Sequence, residues 1–391
     1  MTNLKKIFLI SLVLLALIGG TFLTYNLFFK ADTGPSLSEE ETGALPEDTT
    51  QDGTNQPTST SPSGASLASL KLKAISQEKV LAPSLKADGQ SVKYYSQTTG
   101  QVWETSFDGL NTKKISDKTL TGLIKIIWSP DKEKVISVIA ENGLTKKYFY
   151  NYANSQSATL NANIGYVAFS PDSKKIAYQY TDPQTEQSNI SVADPNGQNW
   201  KIVFKTRLAN LIVEWPVKEK ISLKTQPSGL AQGLLYSLNP DTGEFTKILS
   251  GYLGMNAKWS PKADKILYSI VDQNAKNPRL FLADSAGQQT SDLGLGGLVD
   301  KCVWAKDNHT IICALSQQIS ANATWPDDYY KGLVLVNDDF YKINLETGKK
   351  IKIAGSTAET GYDAQDLFLS PQEDYLFFVN RRDGLLYSLK L

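Results

Sequence analysis

The stretch Trp128-Ser-Pro-Asp-Lys-Glu-Lys-Val-Ile136 recurs as Phe169-Ser-Pro-Asp-Ser-Lys-Lys-Ile-Ala177 and as Trp259-Ser-Pro-Lys-Ala-Asp-Lys-Ile-Leu267. Weaker copies begin at Trp215 (WPVKEKISL), Trp304 (WAKDNHTII) and Leu369 (LSPQEDYLF), and a degenerate first copy begins at Leu85 (LKADGQSVKYY). The seven anchors are spaced 43, 41, 46, 44, 45 and 65 residues apart, a period of about 44 with an insertion in the sixth interval. Self-similarity at that period marks a repeat architecture in which each unit buries its apolar face against its neighbours.

Each copy has a local physical reading. An apolar strand ends at the anchor. The Ser-Pro-Asp stretch then turns the chain, with proline fixing φ and aspartate able to bond nearby backbone. A second strand follows, rich in β-branched and aromatic residues, as in 134–139, 175–180 and 265–271. Later in most repeats comes a second turn: Asp108-Gly109, Asp194-Pro-Asn-Gly197, Asp241-Thr-Gly243, Asp284-Ser-Ala-Gly287 and Glu346-Thr-Gly348. Glycine there supplies the positive φ of a tight hairpin. Every period therefore reads as four antiparallel strands without a helix, which is a propeller blade.

The expected fold of residues 69–391 is thus all-β, a seven-bladed β-propeller of four-stranded antiparallel blades. The last repeat ends two strands after its anchor, at 375–380 and 385–389, and lacks a fourth. Residues 69–75 read as one spare strand ahead of the first anchor, and pairing the two closes the ring and removes an open edge.

The W/F-S-P-D-x-K stretches followed by Asp-x-x-Gly hairpins resemble the WD40-like repeats of TolB-type β-propellers over roughly residues 80–391. The resemblance implies the fold and, more loosely, an interaction scaffold at the cell surface or in the periplasm. Some propellers of this kind adjoin a prolyl-oligopeptidase-like hydrolase domain, and the sequence shows none after the last repeat. It also departs from the TolB pattern in having no separate N-terminal α/β domain, and TolB's own partners do not carry over.

Ahead of the repeats, residues 7–29 form an almost unbroken apolar run preceded by Lys5 and Lys6. Twenty-three residues at 1.5 Å rise cover the roughly 30 Å hydrocarbon core of a bilayer. The flanking charges place residues 1–6 in the cytoplasm and the rest of the chain outside. The alternative is a cleaved signal peptide, disfavoured because the apolar run resumes after Gly19-Gly20 without a clear cleavage site. Residues 30–68 are Ser, Thr, Gly, Pro and acidic residues, a composition too polar to fold alone. They read as a disordered tether with a reach on the order of 30–40 Å. The expected protein is a single-pass, extracytoplasmic membrane protein of the cell envelope.

Composition narrows the chemistry. Lys plus Arg and Asp plus Glu are 40 each, and beyond residue 66 the balance is 37 basic to 33 acidic, too even to suggest nucleic acid. With one histidine and two cysteines the chain has little material for zinc sites, so neither a metal nor another cofactor is expected. His309 falls in a repeat turn, no G-x-S-x-G elbow occurs, and no catalytic residue is assigned. Cys302 and Cys313 fall opposite one another on adjacent strands if the intervening turn centres near Asp307-Asn308. An exported location permits a disulfide, with two buried thiols as the alternative.

The best candidate binding region is the insertion of the sixth repeat, residues 316–337, expected on the face opposite the anchor turns. Its Trp325, Asp327, Asp328, Tyr329 and Tyr330 are residue types that anchor recognition surfaces. Arg381 and Arg382, with Tyr252 and Tyr362, are expected to border it on the same face. The alternative is an insertion folded back on itself, its aromatic rings buried and its aspartates paired with the arginines.

The expected function is a non-enzymatic binding scaffold, membrane-anchored, for a protein or cell-wall polymer. The competing reading is a carbohydrate-active or other hydrolytic propeller using carboxylates on the loop face. Two carboxylates facing one central pocket discriminate in favour of the latter.

Overall fold

The computed structural model describes residues 71–391. The expected anchor at 7–29 and tether at 30–68 lie outside the described residues. Residues 71–391 form seven four-stranded antiparallel sheets. The first strand of each sheet is innermost and lines a central channel: β2 (Val80–Leu85), β6 (Leu123–Trp128), β10 (Ile164–Phe169), β14 (Ile212–Val217), β18 (Asn256–Trp259), β22 (Cys302–Trp304) and β26 (Ala364–Leu369). All seven anchors lie at or near the ends of these strands, as the repeat register predicts.

Turn chemistry explains why the motif is written as it is. The hydroxyls of Ser129, Ser170, Ser260 and Ser370 accept the backbone N–H groups of Lys134, Lys175, Lys265 and Tyr375 at 2.9, 2.9, 3.1 and 2.9 Å. Each hydroxyl donates in turn to a carboxylate, of Asp131, Asp172, Asp264 and Asp374 respectively. The aspartate stands two residues after the serine in the first two copies and four after it in the others. The divergent copies have therefore moved the carboxylate without losing the bond. In five of the seven anchor turns a non-glycine residue holds a left-handed backbone four positions past the anchor: Lys132, Ser173, Ala263, Asn308 and Glu373, with φ between 52° and 66°. Only the first repeat places glycine there, Gly89.

The anchor aromatics pack between blades. The Trp128 indole donates to the Ala82 carbonyl of the first blade at 2.9 Å, and that of Trp259 donates to the Ser222 hydroxyl of the fourth blade at 2.9 Å. The core is accordingly a chain of inter-blade clusters, such as Leu235 and Leu249 against Ala257, Ile266 and Ala283.

The ring closes as expected. The strand β1 (Leu72–Ala74) pairs antiparallel with β28 (Leu386–Lys390), setting Leu72 against Leu389 and Ala74 against Tyr387. Ile75, next in sequence, packs with Val80, Val92 and Phe377, joining the first blade to the last. Cys302 and Cys313 are direct register partners and are disulfide-bonded, with Cα atoms 4.0 Å apart. The bond ties the first strand of the sixth blade to its second strand, β23 (Thr310–Ser316).

Candidate functional site: the central channel and its mouth

The insertion of the sixth blade leaves β23 on the face opposite the anchor turns and returns to β24 (Asp338–Asn344). It folds back over the ring through one short helix, α1 (Asp327–Tyr330). Trp325 and Tyr329 are 2% and 4% exposed and pack with Val271, Ala275, Leu298 and Val336, so their rings meet protein. Asp327 accepts from the Ser228 hydroxyl and the Gly229 N–H of the fourth blade, at 2.8 and 2.7 Å. Asp328 accepts the Thr324 N–H at 2.7 Å.

The arginines do not pair with these aspartates. Arg381 donates to the Tyr329 carbonyl at 2.8 Å and covers its ring at 4.0 Å, while Arg382 donates to the Val336 carbonyl at 3.0 Å. Tyr362 packs among Phe340, Phe378 and Tyr387, and Tyr252 lies beside Tyr268 in β17 (Phe245–Leu253). Of the insertion's aromatics, Tyr329 and Tyr330 both line the channel cavity, and Tyr330, 42% exposed, is the one open to solvent.

What holds the insertion down is a buried ionic cluster. Lys301 is 2% exposed, and its ammonium lies 2.8 Å from Asp338 and 2.7 Å from Asp363, both fully buried. It also donates to the Tyr329 hydroxyl at 2.9 Å and the Ala364 carbonyl at 3.0 Å. The two carboxylates hold the Lys301 ammonium above the ordinary lysine range against the opposing effect of burial. Burial pushes Asp338 upward, and Lys301 only partly offsets it. This cluster joins the sixth blade, the seventh blade and α1, and its polar groups are spent on one another.

The open chemistry lies in the channel. A cavity of about 640 Å³ is lined by Lys258, Asp300, Tyr330, Asp366 and Arg381, and an adjoining one of about 490 Å³ by Lys125, Tyr166, Glu214, Asp300 and Tyr330. Asp300 ends the approach to β22 and is fixed by two 2.9 Å contacts from the Asn256 amide and by the Tyr330 hydroxyl. Lys258 donates to the carbonyls of Asp300 and Cys302 at 3.1 and 2.9 Å, and burial lowers its pKa.

Asp366 is different. It faces the channel from β26 with a left-handed backbone, φ 53°, at a bulge in that strand. Protein enclosing the channel pushes its carboxyl above the usual range, Lys258 opposes that shift and Asp300 adds to it. Ala82, three residues before the first anchor, has the same left-handed backbone, φ 48°, at the matching bulge of β2, so this geometry belongs to the inner strand and the carboxyl is what sets Asp366 apart.

None of Lys125, Lys258, Asp300 or Asp366 was singled out from the sequence. A signal was nonetheless present. Three positions before the anchors stand Lys125, Tyr166, Ile212, Asn256, Lys301 and Asp366, and one position before stand Glu214 and Lys258. Alternate positions of an inner strand share a face. Polar residues repeated there, in place of apolar ones, mark the channel wall once the copies are aligned.

The fold defines a class, the seven-bladed closed β-propeller. Among solved structures the chain is similar to an oligogalacturonate lyase in complex with manganese and to the oligogalacturonate lyase of Vibrio parahaemolyticus. Identities are 11% and 10%, TM-scores 0.58 and 0.57, over 82% of this chain and 93% of each of theirs. It is also similar to the propeller domain of the Trilobed protease from Pyrococcus furiosus, at 13% identity and TM-score 0.51, over 80% of this chain and 92% of that one. A putative TolB from Agrobacterium tumefaciens matches over 59% of this chain and 90% of its own, at 18% identity and TM-score 0.44. No family model matches the chain, and no curated protein does.

One expectation is corrected here. A closed ring without a Ser-His-Asp arrangement was read as a non-enzyme, yet propellers of this same fold include lyases. The architecture therefore gives no ground for assigning a non-enzyme. The manganese of the first neighbour has no counterpart set: among the described residues no group of three or more His, Cys, Asp or Glu is placed to hold a metal. His309 lies in an anchor turn between Asp307 and Glu346, on the face away from the insertion.

Proposed function

We propose that the channel mouth is a carbohydrate-active site that hydrolyses a glycosidic bond between Asp366 and Asp300. The observation that carries this reading is the pairing of two carboxyl groups in one channel cavity: Asp366, held above the usual carboxylate range, and Asp300, held rigidly by its neighbours.

A neutral carboxylic acid can protonate the leaving glycosidic oxygen. The facing carboxylate then takes a proton from an attacking water, or attacks the sugar carbon itself before water releases it. Either route adds one water across the broken bond. Asn256 and Tyr330 hold Asp300 in place, and Lys258 steadies negative charge nearby. Held beyond a membrane by residues 7–29 on the 30–68 tether, the domain would meet cell-envelope polymers. Protease added to intact cells tests that placement, since digestion only after lysis would sink it.

Activity is tested by incubating the protein with a panel of neutral and uronate polysaccharides and measuring new reducing ends and chain length. The Asp366→Asn variant is expected to release product about a hundredfold more slowly, the low end for losing a general acid. Because Asp366 acts as the acid, wild-type activity should fall as pH rises through its elevated pKa. Full activity in Asp366→Asn, or no cleavage of any polymer, overturns the reading.

A further inference from the structure

A second site lies on the outer wall of the ring, away from the channel. The fourth strand of the second blade is β9 (Ser157–Thr159), three residues long, whereas those of the first and third to sixth blades run from five to nine. The short edge leaves the flank of the third blade uncovered. A groove of about 730 Å³ opens there, between β9 and the outer strands β12 (Ser188–Ala193) and β13 (Lys201–Thr206). Its lining runs from the hairpin at Thr185 and Gln187 on one face to the hairpin at Asn196 and Gln198 on the other. A six-residue strand spans roughly 20 Å, so the groove matches an elongated ligand.

Its chemistry is specific. Trp200, 62% exposed, offers its indole face beside Tyr178, Tyr180 and Ile202. Around it stand five carboxamides: Asn161, Gln187, Asn189, Asn196 and Gln198. The asparagine oxygens accept from the Asn163 N–H, the Ser191 hydroxyl and the Gln198 N–H, at 2.9, 2.7 and 3.1 Å. Those bonds orient each amide and leave its NH2 donors uncommitted to the described residues. The groove's two charges are Asp182 and Lys205, and backbone N–H groups of Gln184 and Thr185 already occupy the former at 2.8 and 2.9 Å.

We infer that this groove binds a strand of uncharged polysaccharide. A pyranose ring presents apolar C–H faces that suit an exposed indole, and its hydroxyls both donate and accept, as carboxamides do. Asp182 and Lys205 offset one another in charge, so no cationic cluster is present to receive the row of carboxylates on a uronate polymer. The groove holds no paired carboxylates, so it binds without cleaving. This inference is independent of the channel reading and is measured by equilibrium binding, where the channel is measured by product release.

The test is calorimetric titration of the full chain in detergent with chitotetraose, cellotetraose, xylotetraose and tetragalacturonate. At least one neutral tetrasaccharide is expected to bind in the micromolar to millimolar range, with tetragalacturonate at least tenfold weaker. Trp200→Ala should weaken the neutral ligand tenfold or more, and Asn189→Leu, which removes an amide at constant size, several-fold. Asp366→Asn should leave this binding unchanged. Trp200 sits at the surface and Asn189 is half-buried, so thermal melting is compared with wild type to confirm that both variants are folded. The inference is overturned by any of three outcomes: no neutral ligand bound at about 10 mM, equal affinity for tetragalacturonate, or unchanged affinity in Trp200→Ala.

Discussion

Replacing Lys301 with methionine is expected to cost the domain about 3–5 kcal/mol of stability, because it leaves two buried carboxylates without their cation. Methionine matches lysine in length and fills the same space, so the loss isolates charge from packing. Asp338 would keep the Ala364 N–H and Asp363 the Val336 N–H and the Tyr329 hydroxyl, but the remaining cation, Arg381, stands 3.5 Å from Asp363. For a domain of this size the fall in melting temperature is about 10 °C.

The pH dependence supplies a signature. In the wild type Lys301 is raised, so its stabilisation is present below its unfolded pKa of 10.5 and is lost only as pH climbs through the higher folded value. Asp338 is also raised, so mild acid does not cost its share of stability. In the variant Asp338, without Lys301 to offset its burial, favours protonation still more. The destabilisation should therefore be largest near about pH 7 and shrink toward about pH 5. Denaturant midpoints at the two pH values decide it: equal losses at both would mean that charge is not the cause. Adding Asp338→Asn to Lys301→Met should recover part of the loss, since it removes one of the stranded charges.

Removing the closing strand should have an effect of similar size and a different character. A chain beginning at residue 76 loses Leu72, packed with Ile312, Phe340, Phe378 and Leu389, and Ile75, packed with Val80 and Phe377. Burial of two such side chains is worth about 3–6 kcal/mol. It also leaves β28 as an unpaired edge on a three-stranded blade, a template for pairing with another chain. The truncated protein should unfold at lower denaturant and self-associate, read by sedimentation velocity against a chain beginning at residue 68. A monomer within about 1 kcal/mol of the longer chain would show that the ring does not depend on this closure. Leu72→Asp is the milder version, expected to destabilise while keeping the backbone ladder.

Much of this molecule is legible in its sequence because the determining interactions are local. The anchor turns are closed by a serine and an aspartate within six residues of the anchor, so their signature survives as a short repeated string. The period, the four strands of each blade and the closing of the seventh blade by the first strand all follow from counting such strings. The facing of Cys302 and Cys313 follows from one turn between them.

The rest was decided in three dimensions. Lys301 looks like any surface lysine in the sequence, and its burial depends on Asp338 and Asp363, partners 37 and 62 residues further on. The insertion's aromatic content read equally well as a binding surface or a folded-back plug. The choice fell to Val271, Ala275 and Leu298 beneath it. The channel wall gathers Lys258, Asp300 and Asp366 from three different blades, and no window shorter than a whole repeat contains two of its neighbouring walls. Turn chemistry and strand periodicity are written within a few residues, whereas the solvation of a charge is set by whatever the closed ring brings around it.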